Sequence, residues 1–151
     1  MNLTFKKQVF EACFELIDHK VKTIKSAISS TIESRDNETK SSAGDKFETG
    51  RAMMQNEQNR LENQLANASQ LRAELKQINP DKRSDTVGKG ALVKTNKGIY
   101  FVTVGLGKIS VEGKKVFAIS QESPLGNALF GRSEGESILI NGQTHIIDSL
   151  I

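Results

Sequence analysis

Tryptophan is absent from this 151-residue chain, tyrosine occurs once, and cysteine occurs once, at Cys13. A lone cysteine closes no internal disulfide, and with only His19 and His145 to join it, far apart in sequence, it leaves no ligand set for a structural zinc. No apolar run reaches the roughly 18 residues of a membrane-spanning helix. The residues after Met1 are mixed and polar, unlike the apolar core of a signal peptide. A cytoplasmic chain that keeps off membranes is therefore expected. An excess of one charge is also missing: 21 basic residues stand against 18 acidic ones, a net charge of +3, so the surface is mixed and not that of a dedicated nucleic-acid binder. Lys89, Lys94, Lys97, Lys108, Lys114 and Lys115 are opposed locally only by Glu112, and read most simply as a solvated face of strand edges and turns.

What is present is enough Leu, Ile, Val and Phe to build a folded core, distributed in two different ways. Between Phe5 and Ile32 the apolar residues Phe10, Phe14, Ile17, Val21, Ile24, Ile28 and Ile32 recur at threes and fours, the period of one helix face. A second such run, Met54, Leu61, Leu65, Ala68, Leu71, Leu75 and Ile78, stops before Asn79-Pro80. Each stripe is narrow and neither helix is stable alone, so the simplest burial is stripe against stripe in an antiparallel coiled coil. With about 30 residues per arm at 1.5 Å rise, such a hairpin reaches roughly 45 Å. Residues 80–89, with Pro80, Asp81, Ser84, Asp85 and Gly88, have the composition of a linker.

After Gly90 the helical period gives way to short β-rich runs: 91–95, 99–104, 108–111, 116–120, 137–140 and 144–147. Turn chemistry separates them at Asn96-Lys97-Gly98, Glu112-Gly113 and Asn141-Gly142. Between the fourth and fifth runs, Ser123-Pro124 begins a segment ending at Gly131 that has an N-cap, a proline at the first helical position, a short helix and a glycine stop. A small antiparallel sheet packed on that helix is expected.

Between the helices, residues 34–50 are polar, follow neither stripe, and carry the acids Asp36, Glu38, Asp45 and Glu48; this is the expected tip. With the second helix starting near Gly44, Asp45 and Glu48 stand on one face of its first turn. Acids favour the positive end of a helix, and composition alone explains the pair in that way. Gly44-Asp45-Lys46-Phe47-Glu48 also resembles the Gly-Asp-x-x-Glu tip motif of the Gre family of transcript cleavage factors, which likewise follows a long first helix. Downstream, Ser123-Pro124-Leu125-Gly126-Asn127-Ala128-Leu129-Phe130-Gly131-Arg132-Ser133-Glu134-Gly135-Glu136 is similar to the Ser-Pro-x-x-x-x-Leu-hydrophobic-Gly-basic-x-x-Gly-acidic signature of the Gre C-terminal domain. The motifs stand in the family's order, and together the resemblance covers most of the chain.

The resemblance implies an α+β protein: an N-terminal antiparallel α-helical coiled-coil hairpin over 1–79, a linker over 80–89, and an FKBP-like antiparallel β-sheet with a short helix over 90–151. It implies a transcription elongation factor that binds bacterial RNA polymerase at the secondary channel. The C-terminal domain would dock at the rim through Ser123, Pro124, Leu125, Gly131 and Arg132 while the coiled coil enters. Asp45 and Glu48 would then assist catalysis by helping to hold magnesium beside the polymerase's own aspartates and to orient a water. The polymerase, not this chain, would cleave backtracked RNA. Carboxylate oxygens suit magnesium, but two of them leave most of its octahedral shell unfilled, so the metal site would form only in the complex and the chain has no cofactor of its own. On the same resemblance the partners are polymerase and the RNA 3′ end, with DNA met only indirectly, and the chain is a monomer.

The chain departs from the family where the usual tip continues Glu-Asn-Ala-Glu-Tyr and it has Glu48-Thr49-Gly50-Arg51-Ala52. A Gre-like regulator that occupies the channel and competes without stimulating cleavage is the alternative. Prolyl isomerisation, which an FKBP-like fold also brings to mind, needs an aromatic-lined pocket, for which this region offers only Tyr100, Phe101, Phe117 and Phe130. Cys13, among apolar helical residues with no histidine on its face, reads as a core or boundary thiol. His145, alternating with apolar neighbours, is expected to face solvent.

Overall fold

The computed structural model describes the backbone of residues 1–40 and 45–151 and the side chains of residues 1–37 and 48–151. Its elements are α1 (Leu3–Lys40), α2 (Asp45–Lys76), β1 (Leu92–Thr95), β2 (Gly98–Thr103), β3 (Gly107–Val111), β4 (Lys114–Ser120), α3 (Pro124–Leu129), β5 (Ser137–Ile140) and β6 (Gln143–Leu150). They belong to two compact units, Ile17–Arg72 and Met1–Leu16 with Ala73–Ile151. Among the described residues no helix is long and apolar enough to cross a membrane.

The first unit is a pair of antiparallel helices. As α1 advances from Asp18 to Arg35, its partners on α2 retreat: Arg72 Nε meets Asp18 Oδ1 at 2.6 Å, and Arg35 Nη1 donates to Gln55 Oε1 at 2.9 Å and Gln58 Oε1 at 2.8 Å. Among the described residues of this unit, Ile17, Ile24, Leu61 and Ala68 are the buried apolar ones, as the stripes require. Helix α1 does not stop near Ile32 but continues through Lys40. Intrinsic propensity is weak over this polar stretch, and the paired amides around Arg35 supply the local anchorage that an apolar stripe supplies elsewhere.

In the other unit α1 begins at a cap, where Asn2 Oδ1 accepts from Phe5 N at 2.9 Å. The buried face of its first turns is Phe5, Val9 and Cys13. That lies one position from the expected stripe. Phe10 and Phe14 flank it, half-buried and edge-to-face with centroids 4.9 Å apart. The step of four from Phe5 through Ile17 keeps one face, whereas the bulk of the two rings misleads a reading by hydrophobicity alone.

The sheet has six strands in the order β3-β4-β2-β1-β6-β5. All neighbours are antiparallel except β2 and β4, which run parallel from Ile99↔Val116 to Thr103↔Ser120. Two tight turns need left-handed backbone and use the residues expected, Glu112-Gly113 at φ 51 and 75 and Asn141-Gly142 at φ 49 and 75. The core gathers Val87, Ala91, Val93, Val102, Leu129, Ile138 and Ile147, with Ile119, Leu125, Ala128 and Leu150 packed against it. Each fully buried valine, leucine or isoleucine among them contributes about 1.5–3 kcal/mol. Within the stretch read as a linker, Val87 is buried and stitched to the segment after α3: Val87 N donates to Arg132 O at 2.8 Å and Gly131 N to Val87 O at 2.7 Å.

Candidate functional site

The Ser-Pro segment takes its shape from a closed set of local bonds. Ser123 is the N-cap of α3; its Oγ accepts from Gly126 N at 3.1 Å and donates to Ser120 O at 2.7 Å, tying the helix to the end of β4. Pro124 follows at the first helical position, where no N–H is needed. Gly126 is obligatory, because a Cβ there would stand 2.0 Å from Ser120 O. Leu129 is fully buried, while Phe130, one residue on, is 53% exposed. Gly131 adopts φ 76. Arg132 Nη1 lies 3.5 Å from Glu136 Oε1, and Glu136 Oε2 accepts from Ser133 N at 2.5 Å. Gly135 N donates to Ile147 O, and Ile147 N to Glu136 O, which fastens the end of the segment to β6.

Three of the five docking candidates meet at one place. Ser123, Pro124 and Leu125 form one wall of an open groove of about 350 Å³, and Ile119, Ile140, Asn141, Gln143 and His145 form the rest. Gly131 and Arg132 stand at the other end of α3 and do not line it. On the solvent face of the β5–β6 hairpin, Leu139 and Ile146 are 72% and 43% exposed. The pairs Leu139↔Thr144 and Ser137↔Ile146 place these two apolar residues diagonally across adjacent strands. They lie on the face of the hairpin opposite to Ile140, Gln143 and His145 and are not part of the groove.

His145 is buried, not solvent-facing as its sequence neighbourhood led one to expect. It pairs with Ile138 and shares a face of β6 with Ile147, leaving Thr144, Ile146 and Asp148 outside. Its local sequence, with isoleucine in both phases of the alternation, could not decide the face; the pairing with β5 does. Its ring lies 6.1 Å from that of Tyr100, and its Nδ1 has no hydrogen-bond partner among the described residues. Burial, and then the charge of Lys97, pull its pKa below the ordinary histidine value. Cys13 is likewise buried, and burial pushes its thiol up to about 12, so it is neutral and no nucleophile.

At the other candidate site, Asp45 is the first residue of α2 and Glu48 lies in the same first turn, exposed. The side chain of Asp45 lies outside the described residues. Among the described residues no group of three or more His, Cys, Asp or Glu gathers to hold a metal.

No family model matches this chain, and no curated relative does. Among solved structures it is similar to that of the transcription factor Gfh1, at 17% identity over 91% of this chain and 94% of that chain, with a TM-score of 0.39.

Proposed function

We propose that this chain binds bacterial RNA polymerase as a Gre-type elongation factor, docking by its sheet-bearing unit and presenting Asp45 and Glu48 to the polymerase active site through the secondary channel. The observation that carries this reading is the fold of the Ser-Pro segment. Of the residues that match the signature, Ser123 caps α3 and ties it to β4, and Ser123 and Pro124 stand in one wall of the groove, which supports the resemblance. The order of elements, a helical hairpin followed by a mixed sheet with one short helix, supports it further. In this reading the chain is not itself an enzyme. Two carboxylates in one helical turn suit a magnesium ion shared with polymerase carboxylates, and they are too few to hold it alone. The chain's own contribution is to position them.

A second reading, occupation of the channel without stimulation of cleavage, is favoured by Arg51. It stands where the family tip carries an acid, so the charge beside the carboxylate pair is reversed. The two readings part on RNA release from backtracked polymerase complexes, run beside a competition binding measurement. Stimulation by wild type that Asp45→Asn with Glu48→Gln abolishes, with binding retained, establishes the first. Binding without stimulation by wild type establishes the second, and equal stimulation by both proteins removes the carboxylates from the chemistry.

A further inference from the structure

The lysines that read as one basic face along the sequence are divided by the sheet. Lys94 stands opposite Ile99, which stands opposite Val116, and Lys114 lies two residues before Val116 with its ammonium 5.2 Å from the Phe5 ring centroid. Lys94 and Lys114 thus share one face. Lys108 and Lys115 lie on the other, where the register Lys108↔Phe117 and Ser110↔Lys115 gathers four side chains at the β3 edge of the sheet. Phe117 is half-buried and the other three are exposed. Phe117 stands opposite Tyr100 in the parallel pairing, and their rings stack with centroids 5.8 Å apart. Beyond Tyr100, at 6.1 Å, comes the ring of His145, part of the wall of the groove beside α3. Lys97, in the turn between β1 and β2, is near enough to His145 for its charge to act, after burial, on that ring.

Three rings therefore cross one face of the sheet in a row, with lysines at both ends. Among the described residues none of Lys97, Lys108 and Lys115 has a carboxylate partner. Glu112, in the turn between β3 and β4, is the acid nearest in sequence to Lys108 and Lys115, and leaves the row with more positive than negative charge. Ammonium groups match phosphate oxygens, and Phe117, reachable from solvent beside its two lysines, offers a ring to a base. A partner that uses both carries phosphates and unpaired bases in alternation along one strand. A duplex keeps its base faces in the stack, and a polyphosphate or an acidic peptide gives the ring nothing to hold. Ser110, exposed opposite Lys115, adds a hydroxyl that can bond a ribose 2′-OH.

We propose that this face of the sheet binds single-stranded RNA, with Lys97, Lys108 and Lys115 on the phosphates, Phe117 stacked on a base and Ser110 at a ribose hydroxyl. Fluorescence anisotropy of a labelled, unstructured RNA of about 12 nucleotides, titrated with the full chain at several salt concentrations, tests it. No polymerase is present, so the outcome is independent of the docking reading. Saturable binding is expected, with log K falling against log salt at a slope of about −2, the value for three phosphate contacts on a single strand. Lys108→Gln with Lys115→Gln should weaken binding about tenfold or more at low salt and bring the slope to about −0.7. Both lysines are exposed, so this variant should unfold at the wild-type temperature. Phe117→Leu should weaken binding about fivefold or more and leave the slope unchanged, since it removes a ring and no charge. Lys94→Gln with Lys114→Gln takes the same charge from the opposite face and should keep the wild-type affinity and slope. Absence of saturable binding up to about 1 mM at low salt, equal weakening by the two lysine pairs, wild-type affinity in Phe117→Leu, or equal affinity for duplex RNA or for DNA of the same sequence overturns the proposal.

Discussion

A single methyl group separates Gly126 from alanine, yet a Cβ there meets Ser120 O at 2.0 Å and Gln121 Cα at 3.0 Å. Both are backbone, so no rotamer change relieves the clash. Gly126→Ala should lower stability by about 1–3 kcal/mol in urea unfolding; an unchanged midpoint would show that α3 can shift freely. His145 gives a second prediction. Its folded pKa lies below the unfolded value of about 6.5, so the unfolded chain binds the proton more readily, and stability is full above that pH and declines as pH falls below it. Thermal unfolding followed from about pH 7.5 to about pH 5 should show a fall that is shallower in His145→Phe; equal slopes would remove His145 from the effect. Ser123 and Cys13 were legible in the sequence because local rules fix them, a cap before a proline and a thiol within an apolar stripe. His145 and Lys6 were not, because their burial is imposed by residues distant in sequence: Ile138 across the hairpin for one, and the main-chain oxygens of Lys82 and Ile151 for the other.

At the scale of elements, apolar burial and not ion pairing holds the helices together. Asp18 and Arg72 meet at 2.6 Å, but both are nearly half exposed, and such pairs contribute at most about 1 kcal/mol. Ile24 is 6% exposed, and Ile24→Ala should cost about 2–4 kcal/mol. Urea unfolding followed by circular dichroism should therefore rank Ile24→Ala well above Asp18→Ala, and the reverse order would contradict this account of the pairing. All six strands and the short helix were legible, since alternation, Asn-Gly and Ser-Pro are local signals. The parallel pairing of β2 with β4 was not. It depends on β4 entering beside β2 while its hairpin partner β3 takes the edge, which no local pattern encodes. The extension of α1 past Ile32 also escaped, because Arg35 finds its partners on α2 and not in its own neighbourhood.

At the scale of the whole molecule, the periodicity changes near Pro80, but the compact units divide elsewhere. Met1–Leu16 belongs with Ala73–Ile151. Buried Lys6 and Phe5 show why: their partners include Lys82, Ile151 and Lys114, whose ammonium lies 5.2 Å from the Phe5 ring centroid. Cutting the chain at the change of pattern would remove these contacts, so the roles of its parts are better tested by surface substitutions in the full chain. Pro124 and Gln143 are exposed residues of the groove, and replacing them with acids spares the core. The most direct test of the central claim is the affinity of full-length chain for bacterial RNA polymerase, measured for wild type and for Pro124→Asp with Gln143→Glu. Saturable binding by wild type, weakened about tenfold or more in the variant, is the predicted result; no binding by wild type, or equal affinities for the two proteins, would contradict it.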